Sequence, residues 1–251
     1  MAFHFQIGEI SRFFDIPAST LRYWEDMGIL NPLKDSENHY REYTVEDLMT
    51  ISDVIFYKNL GLPLKQIRGM ESATPRQHSR LFAEKLSELE EQQKQLQERM
   101  EKLRCHMKAI QMMDELRQNP YVETDIDTDC IVSFDLIERE KLRQYIDNPY
   151  LYSRVQHSSH PEREQRGLTI PSDLQEQFSD SQILWKKQSN RYIAFLMKEE
   201  IADGFPNDLR KHLLHIQREH KTGAMISRFL LCAQEDGKIY DFYKTFVEIS
   251  G

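Results

Sequence analysis

Residues 76–118 contain neither proline nor glycine and are dominated by Glu, Gln, Lys, Arg and Leu, the composition of one long exposed helix. Phe82, Leu86, Leu89, Leu96, Met100, Leu103, Met107 and Ile110 follow in alternating steps of four and three, with Gln93 the polar residue on that track. Such steps keep a narrow apolar stripe on one side of a helix, the seam of a coiled coil. At about 1.5 Å per residue the run extends ~65 Å, and a helix of that length needs an apolar partner to persist in water. A symmetric homodimer through residues 76–118 supplies one, and an antiparallel pairing would hold two N-terminal domains apart. Gln93 would then fix register at some cost in stability. The alternative is a single helix lying along its own C-terminal domain.

The helix divides the chain into residues 1–75, 76–118 and 119–251. In the first segment Ile7, Ile10, Phe13 and Phe14 recur at helical spacing, and Asp15-Ile16-Pro17 opens a second helix with Pro17 in its first turn, where a missing N–H costs nothing. Leu21 and Trp24 share one face of that helix, while Ser19, Arg22, Tyr23 and Asp26 project elsewhere, which suits a helix packed on one side and entering a major groove on the other. Gly28 ends it in a left-handed conformation. The polar, turn-rich residues 33–39 lie between Ile29-Leu30 and Tyr40-Arg41-Glu42-Tyr43 and read as a β-hairpin wing. Arg41 would bring a cation to phosphate or minor groove, with Tyr40 and Tyr43 adding hydroxyl donors. Thr44-Val45-Glu46-Asp47 caps a third helix, Gly61 and Pro63 stop it, and a short fourth helix starts at Leu64.

Four segments in this order, Phe5-Gln6-Ile7-Gly8-Glu9-Ile10, Thr20-Leu21-Arg22-Tyr23-Trp24, Tyr40-Arg41-Glu42-Tyr43 and Leu60-Gly61-Leu62-Pro63-Leu64-Lys65-Gln66-Ile67, resemble the winged helix-turn-helix of MerR-type transcriptional activators. Two positions depart from many members: Pro17 stands for a helix-opening Ser, and Trp24 for a second Tyr. The resemblance implies a regulator that sits on double-stranded promoter DNA and distorts it on effector binding so that RNA polymerase engages both promoter elements. It implies DNA contacts from Ser19, Thr20, Arg22, Tyr23, Trp24, Tyr40, Arg41, Tyr43, Lys58 and Lys65. A dimer would require a pseudo-palindromic site.

Charge restrains this expectation. The chain carries a net −8, and residues 1–75 carry seven cations against eleven carboxylates. Affinity for DNA comes largely from neutralised phosphates, so the cations must cluster on one face, with Arg22, Arg41, Lys58 and Lys65 the candidates. No apolar stretch approaches the length of a membrane span, and three scattered cysteines, Cys105, Cys130 and Cys232, suit a reducing compartment. A cytoplasmic location is expected.

Residues 119–251 read as a mixed α+β domain. Asn119-Pro120 ends the long helix, Cys130 to Phe134 and Tyr192 to Met197 read as strands, and residues 138–145 and 207–220 as helices. Residues 224–233 and 239–249 form a hairpin around Glu235-Asp236-Gly237-Lys238. The arrangement is similar to the GyrI-type effector domains with which some family members sense organic, often cationic and aromatic, compounds. In the last strand Tyr240, Phe242, Lys244, Phe246 and Glu248 alternate onto one face, so rings would pack a flat effector and Glu248 would meet its charge, with Tyr152, Trp185 and Tyr192 as walls. The plainer alternative makes these rings core and Glu248 an edge residue, with Lys244 neutralising it. No cofactor is implied, and the cysteines lack the spacing of a metal or iron–sulfur site. His157, His160, Glu162 and Glu164 read as a solvated loop. No nucleophile with an adjacent base marks an enzyme, although a C-terminal domain that scavenges or modifies a toxic compound is the rival function.

Overall fold

The computed structural model describes residues 4–34 and 40–250. Residues 35–39, the middle of the expected wing hairpin, lie outside the described residues. The chain divides within its long helix into two compact units, Met1–Gln95 and Leu96–Gly251.

The first unit begins with strand β1 (Phe5–Gln6) and helix α1 (Ile7–Phe14), whose start is closed by reciprocal bonds between Gln6 and Glu9. Helix α2 spans Ala18–Asp26, one residue later than expected, because Pro17 keeps extended geometry and serves as the cap. Gly28 adopts φ +66°, and the Ile29 amide then reaches the Trp24 carbonyl at 2.9 Å, closing the helix end as its sequence implies. Strands β2 (Leu33–Lys34) and β3 (Arg41–Tyr43) complete a three-stranded antiparallel sheet in the order β1-β3-β2. Thr44 and Asp47 form the capping box of α3 (Val45–Asn59), which α4 (Leu64–Ile67) follows. Ile10, Leu21, Trp24, Leu30, Tyr43 and Ile51 are the centre of this unit's core.

Helix α5 is continuous over Pro75–Gln118, 44 residues. Phe82, placed on the seam by its spacing, packs against the first unit's core. Beyond it the seam is open: Leu96, Leu103 and Met107 are 57%, 66% and 70% exposed. A second side of the helix end, Ala109, Met113 and Leu116, is buried in the second unit.

That unit is an eight-stranded antiparallel sheet in the order β4-β9-β11-β10-β6-β7-β5-β8. Its elements are β4 (Val122–Thr124), β5 (Cys130–Ser133), α6 (Arg139–Asp147), β6 (Tyr152–His157), β7 (His160–Ile170), β8 (Ile183–Lys186), β9 (Arg191–Glu200), α7 (Leu209–Ile216), β10 (Lys221–Glu235) and β11 (Lys238–Ser250). The hairpin turn has positive φ at both Asp236 and Gly237, as a two-residue turn matched to strand twist requires. Helix α7 is shorter than its apolar pattern implied, and α6 runs to Asp147 rather than Tyr145. The expected loop at His157 to Glu164 is instead the β6–β7 hairpin. Its polar run His160-Pro161-Glu162-Arg163-Glu164 has no apolar period, and Pro161 is tolerated because β5 pairs with β7 only from Gly167 onward.

The sheet sends alternate side chains to two faces. One face, with Tyr192, Phe242 and Phe246, is covered by the end of α5. The other, with Phe195, Tyr243 and Val247, packs on α7. Gly167 allows β5 and β7 to approach: a Cβ there would collide with Ile131 Cγ2 and lie 2.7 Å from the Val132 carbonyl oxygen. We expect Gly167→Ala to destabilise this unit by about 2 kcal/mol, the scale of overpacking, read as a lower urea midpoint with unchanged slope. An unchanged midpoint would contradict the close approach.

Candidate functional site

Two surfaces are candidates for function, one in each unit. In the first, Leu21 and Trp24 anchor α2 in the core, and Ser19, Arg22, Tyr23 and Asp26 form its exposed side. Their spacing of three and four residues keeps them on one stripe of the helix. Thr20 is half-buried beside them, Tyr40 is exposed on the wing, and Lys58 and Lys65 are exposed near the end of α3 and in α4.

The wing is tied to this helix through one carboxylate. Glu25 on α2 accepts from Arg41 Nε at 2.6 Å and from the Tyr43 hydroxyl at 2.5 Å. Burial and the Glu25 hydrogen bond both push the Tyr43 hydroxyl well above its ordinary range, so it stays a donor. Two expected DNA contacts are thereby corrected. Trp24 is 3% exposed and Tyr43 is fully buried, so both are core residues that shape the surface without reaching it. Trp24 falls three residues from Leu21 on the inward side of α2, and Tyr43 alternates inward along β3. Arg41 is half-buried and bonded to Glu25, so it joins wing to helix before it offers charge to a phosphate.

In the second unit the expected effector residues divide between the two faces of the sheet. Tyr192, Phe242 and Phe246 are at most 1% exposed in the core under α5, where Trp185 and Tyr240 pack as well. They are corrected from pocket walls to core, since alternation along β11 fixes which residues share a face but not which face the long helix covers. Glu248 accepts from Asn190 Nδ2 at 2.5 Å and from the Ala224 amide at 3.0 Å, which holds the irregular pairing of β10 between Thr222 and Met225. Lys244 pairs with Asp127 at 3.1 Å rather than with Glu248.

Tyr152 alone of that set lines the large cavity on the opposite face, a space of about 950 Å³ between residues of β6, β7, β9 and β11 and those of α6 and the loop before α7. Such a volume lies within the range of small-molecule sites. Its lining holds six aromatic rings, five carboxylates and two arginines. At its centre Arg154 on β6 makes a two-pronged pair with Glu199 on β9, with Nη1 and Nη2 each 2.7 Å from a carboxylate oxygen. Nη1 also reaches Glu164 at 3.1 Å, and Nη2 donates to the Tyr243 hydroxyl. The guanidinium lies 4.3 Å from the Tyr243 ring centre. Burial raises the Tyr243 hydroxyl and the nearby Asp241 carboxyl above their ordinary ranges. These residues escaped the sequence reading because Arg154 and Glu164 fall in a hairpin without apolar period. Asp241 and Tyr243 alternate away from the aromatic row that drew notice, and Glu199 lies in β9 beyond the apolar residues, Tyr192 to Met197, that read as a strand.

Among the described residues no group of three or more His, Cys, Asp or Glu is placed to hold a metal ion, and no helix is long and apolar enough to cross a membrane.

Residues 5–74 match the family described as MerR HTH family regulatory protein. Over 86 residues the chain is 31% identical to the HTH-type transcriptional activator TipA of Streptomyces coelicolor, covering 33% of this chain and 34% of that protein. Over 96 residues it is 28% identical to the Multidrug-efflux transporter 2 regulator of Bacillus subtilis, covering 38% of this chain and 35% of that protein. The chain thus spans about a third of the length of these relatives. Among solved structures, EcmrR in its DNA complex aligns over 97% of this chain and 99% of its own at 15% identity and a TM-score of 0.37. A MerR family regulator from Bacillus cereus aligns over 57% of this chain and 96% of its own at 20% identity and a TM-score of 0.36.

Burial raises the Tyr243 hydroxyl, and burial with Glu248 and Asp125 nearby pushes Tyr192 up to about 12. Both lie above the unfolded value of about 10, so their contribution to stability is complete below that pH and is lost as pH rises beyond it. We expect the urea midpoint of the second unit to fall between about pH 10 and about pH 12, and Tyr192→Phe to flatten that fall. An equal fall in the variant would contradict the assignment.

Proposed function

We propose that this chain, whose residues 5–74 form a MerR-type helix-turn-helix domain, is a dimeric, effector-responsive transcriptional regulator of promoter DNA. The observation that carries this reading is the pairing of two features: an exposed Ser19-Arg22-Tyr23 stripe beside a wing held by Glu25, and a separate unit built around a large polar and aromatic cavity. In this reading residues 1–75 read DNA, 76–118 pair two chains and 119–251 bind the effector in the manner of a GyrI-type domain.

DNA contact falls to Ser19, Thr20, Arg22 and Tyr23 on α2, Tyr40 and Arg41 on the wing, and Lys58 and Lys65 beyond it. A net negative domain gains little from phosphate attraction alone, so placement of these few groups and duplication by a dimer make up the affinity. The open seam of α5 supports that dimer: Leu96, Met100, Leu103, Met107 and Ile110 stay exposed along one stripe that a second copy would bury. The twofold axis then calls for a pseudo-palindromic promoter site. Activation would follow when effector binding lets the dimer distort the duplex so that RNA polymerase engages, with protein contacts offsetting the distortion.

The effector is a small organic compound with aromatic surface and positive charge, taken by the cavity rather than by the aromatic row of β11. Five carboxylates against two arginines favour a cation, and rings such as Tyr145 and Phe229 offer π-faces to it. Names of relatives point the same way: one is a transcriptional activator, another a regulator of a multidrug-efflux transporter. The setting of such a regulator is the cytoplasm.

A footprint of the full chain on its own upstream DNA tests the reading. Arg22→Ala should weaken protection at least tenfold, the cost of about 1.4 kcal/mol for a lost base or phosphate contact, while leaving the melting profile unchanged. Undiminished protection would remove α2 from the interface. In sedimentation, Leu103→Glu should shift the chain from dimer toward monomer, because a carboxylate buried in the seam has no partner; an unaltered dimer would exclude the seam.

A further inference from the structure

We propose that Arg154 is a built-in counter-cation, which occupies the carboxylates of the cavity until an organic cation displaces it from Glu199. The inference rests on the proposed role of this cavity and adds the means by which the cavity selects its ligand.

The pair is deeply buried, with the Arg154 and Glu199 side chains 8% and 6% exposed. A guanidinium in such a place normally has every donor met, since each unmet one carries its full desolvation cost. Arg154 departs from this: its two Nη atoms serve Glu199, Glu164 and Tyr243, but its Nε is shielded from solvent and has no partner. The fit is therefore good enough to hold the cation and poor enough to yield it. Glu164, 26% exposed, stands nearer the rim and keeps a partner for Arg154 once Glu199 is given up.

Ligand charge follows from the surroundings. Asp135, Glu162, Glu164, Glu199 and Asp241 face the same space as Arg154 and Arg166, so an anion bound to Arg154 would sit among carboxylates and compete with Glu199 for the same two nitrogens. A cation instead reproduces what Arg154 now provides. The Tyr243 ring, already under the guanidinium at 4.3 Å, and the Tyr152 ring at 5.9 Å from it would face the newcomer.

Displacement also has a mechanical side. Strands β6 and β9 are separated in the sheet by β10 and β11. The pair therefore straps β6 to β9 over the two strands that lie between them. Replacing an internal strap by a ligand that is not part of the chain removes this side-chain tie and leaves β6 and β9 joined only through the ladders of β10 and β11.

Tetraphenylphosphonium and tetraphenylborate, of one shape and opposite charge, form the test, with binding to the full chain measured by calorimetry. Wild-type protein should bind the phosphonium and not the borate. Arg154→Met removes the competitor and should tighten phosphonium binding about tenfold or more, whereas Glu199→Gln should weaken it by a similar factor. Because removal of one partner from a buried pair is destabilising, the double variant Arg154→Met with Glu199→Gln, which leaves no lone charge, is measured alongside and should bind no more tightly than wild type. In wild-type protein, the separate Nη signals of a guanidinium held on two prongs should merge in arginine NMR spectra as phosphonium is added. Weaker phosphonium binding in Arg154→Met, borate binding by wild type, or no phosphonium binding by any variant would overturn the proposal. If the predicted pattern holds but phosphonium leaves the promoter footprint and transcription unchanged, the displacement stands and the cavity's regulatory role fails.

Discussion

Helix α5 has two apolar sides that face different requirements, and most of the molecule is arranged around that fact. Toward its end Ala109, Met113 and Leu116 are buried on the sheet of the second unit, so this part of the helix is held by its own chain. The stripe from Leu86 to Ile110 is left exposed. A solvent-facing row of that length is costly to a monomer and natural to a dimer, because a helix of 44 residues gains its stability chiefly from packing. The same helix bears on which face of the sheet holds the large cavity. By covering Phe242, Phe246 and Tyr192 it turns the most aromatic row of the domain into core, and the large cavity lies on the opposite face with Arg154, Glu199 and Tyr243.

Much of this was legible in the residues. Punctuation by Gly28, the Thr44–Asp47 capping box and the Asp236-Gly237 turn is local chemistry, and each appears where its mechanism requires. The seam of α5 could be read because a period of three and four residues survives over many turns. The limits were equally physical. Alternation along β11 sorts Tyr240, Phe242, Lys244, Phe246 and Glu248 onto one face without saying what covers it. The β6–β7 hairpin has no apolar period to announce it, and Arg154 and Glu199 lie far apart in sequence on strands that are not neighbours. In the winged domain the exposed stripe and the packed side of α2 with Leu21 and Trp24 followed from helix geometry, but the inward turn of Tyr43 depended on packing.

Carboxylates organise both candidate surfaces. Glu25 holds the wing against α2 by accepting from Arg41 and Tyr43 together, so one acidic residue fixes the spacing between two elements that would approach DNA. Glu199 plays a comparable part across the sheet, from β9 to β6, through Arg154. In each case an arginine is paired with a carboxylate inside the fold, Arg154 buried and Arg41 still partly exposed, in an acidic protein whose proposed partners include both a polyanion and a cationic small molecule. The first gains by accurate placement of few contacts, the second by the excess of negative charge in the cavity.

The central claim is that two chains, joined through α5, read one symmetric promoter site. Native mass spectrometry of the full chain bound to a duplex from its own upstream region tests this most directly. Two chains on each duplex are predicted, with no single-chain complex accumulating as protein is added. Stable complexes containing one chain, or an absence of binding at any ratio, would contradict it.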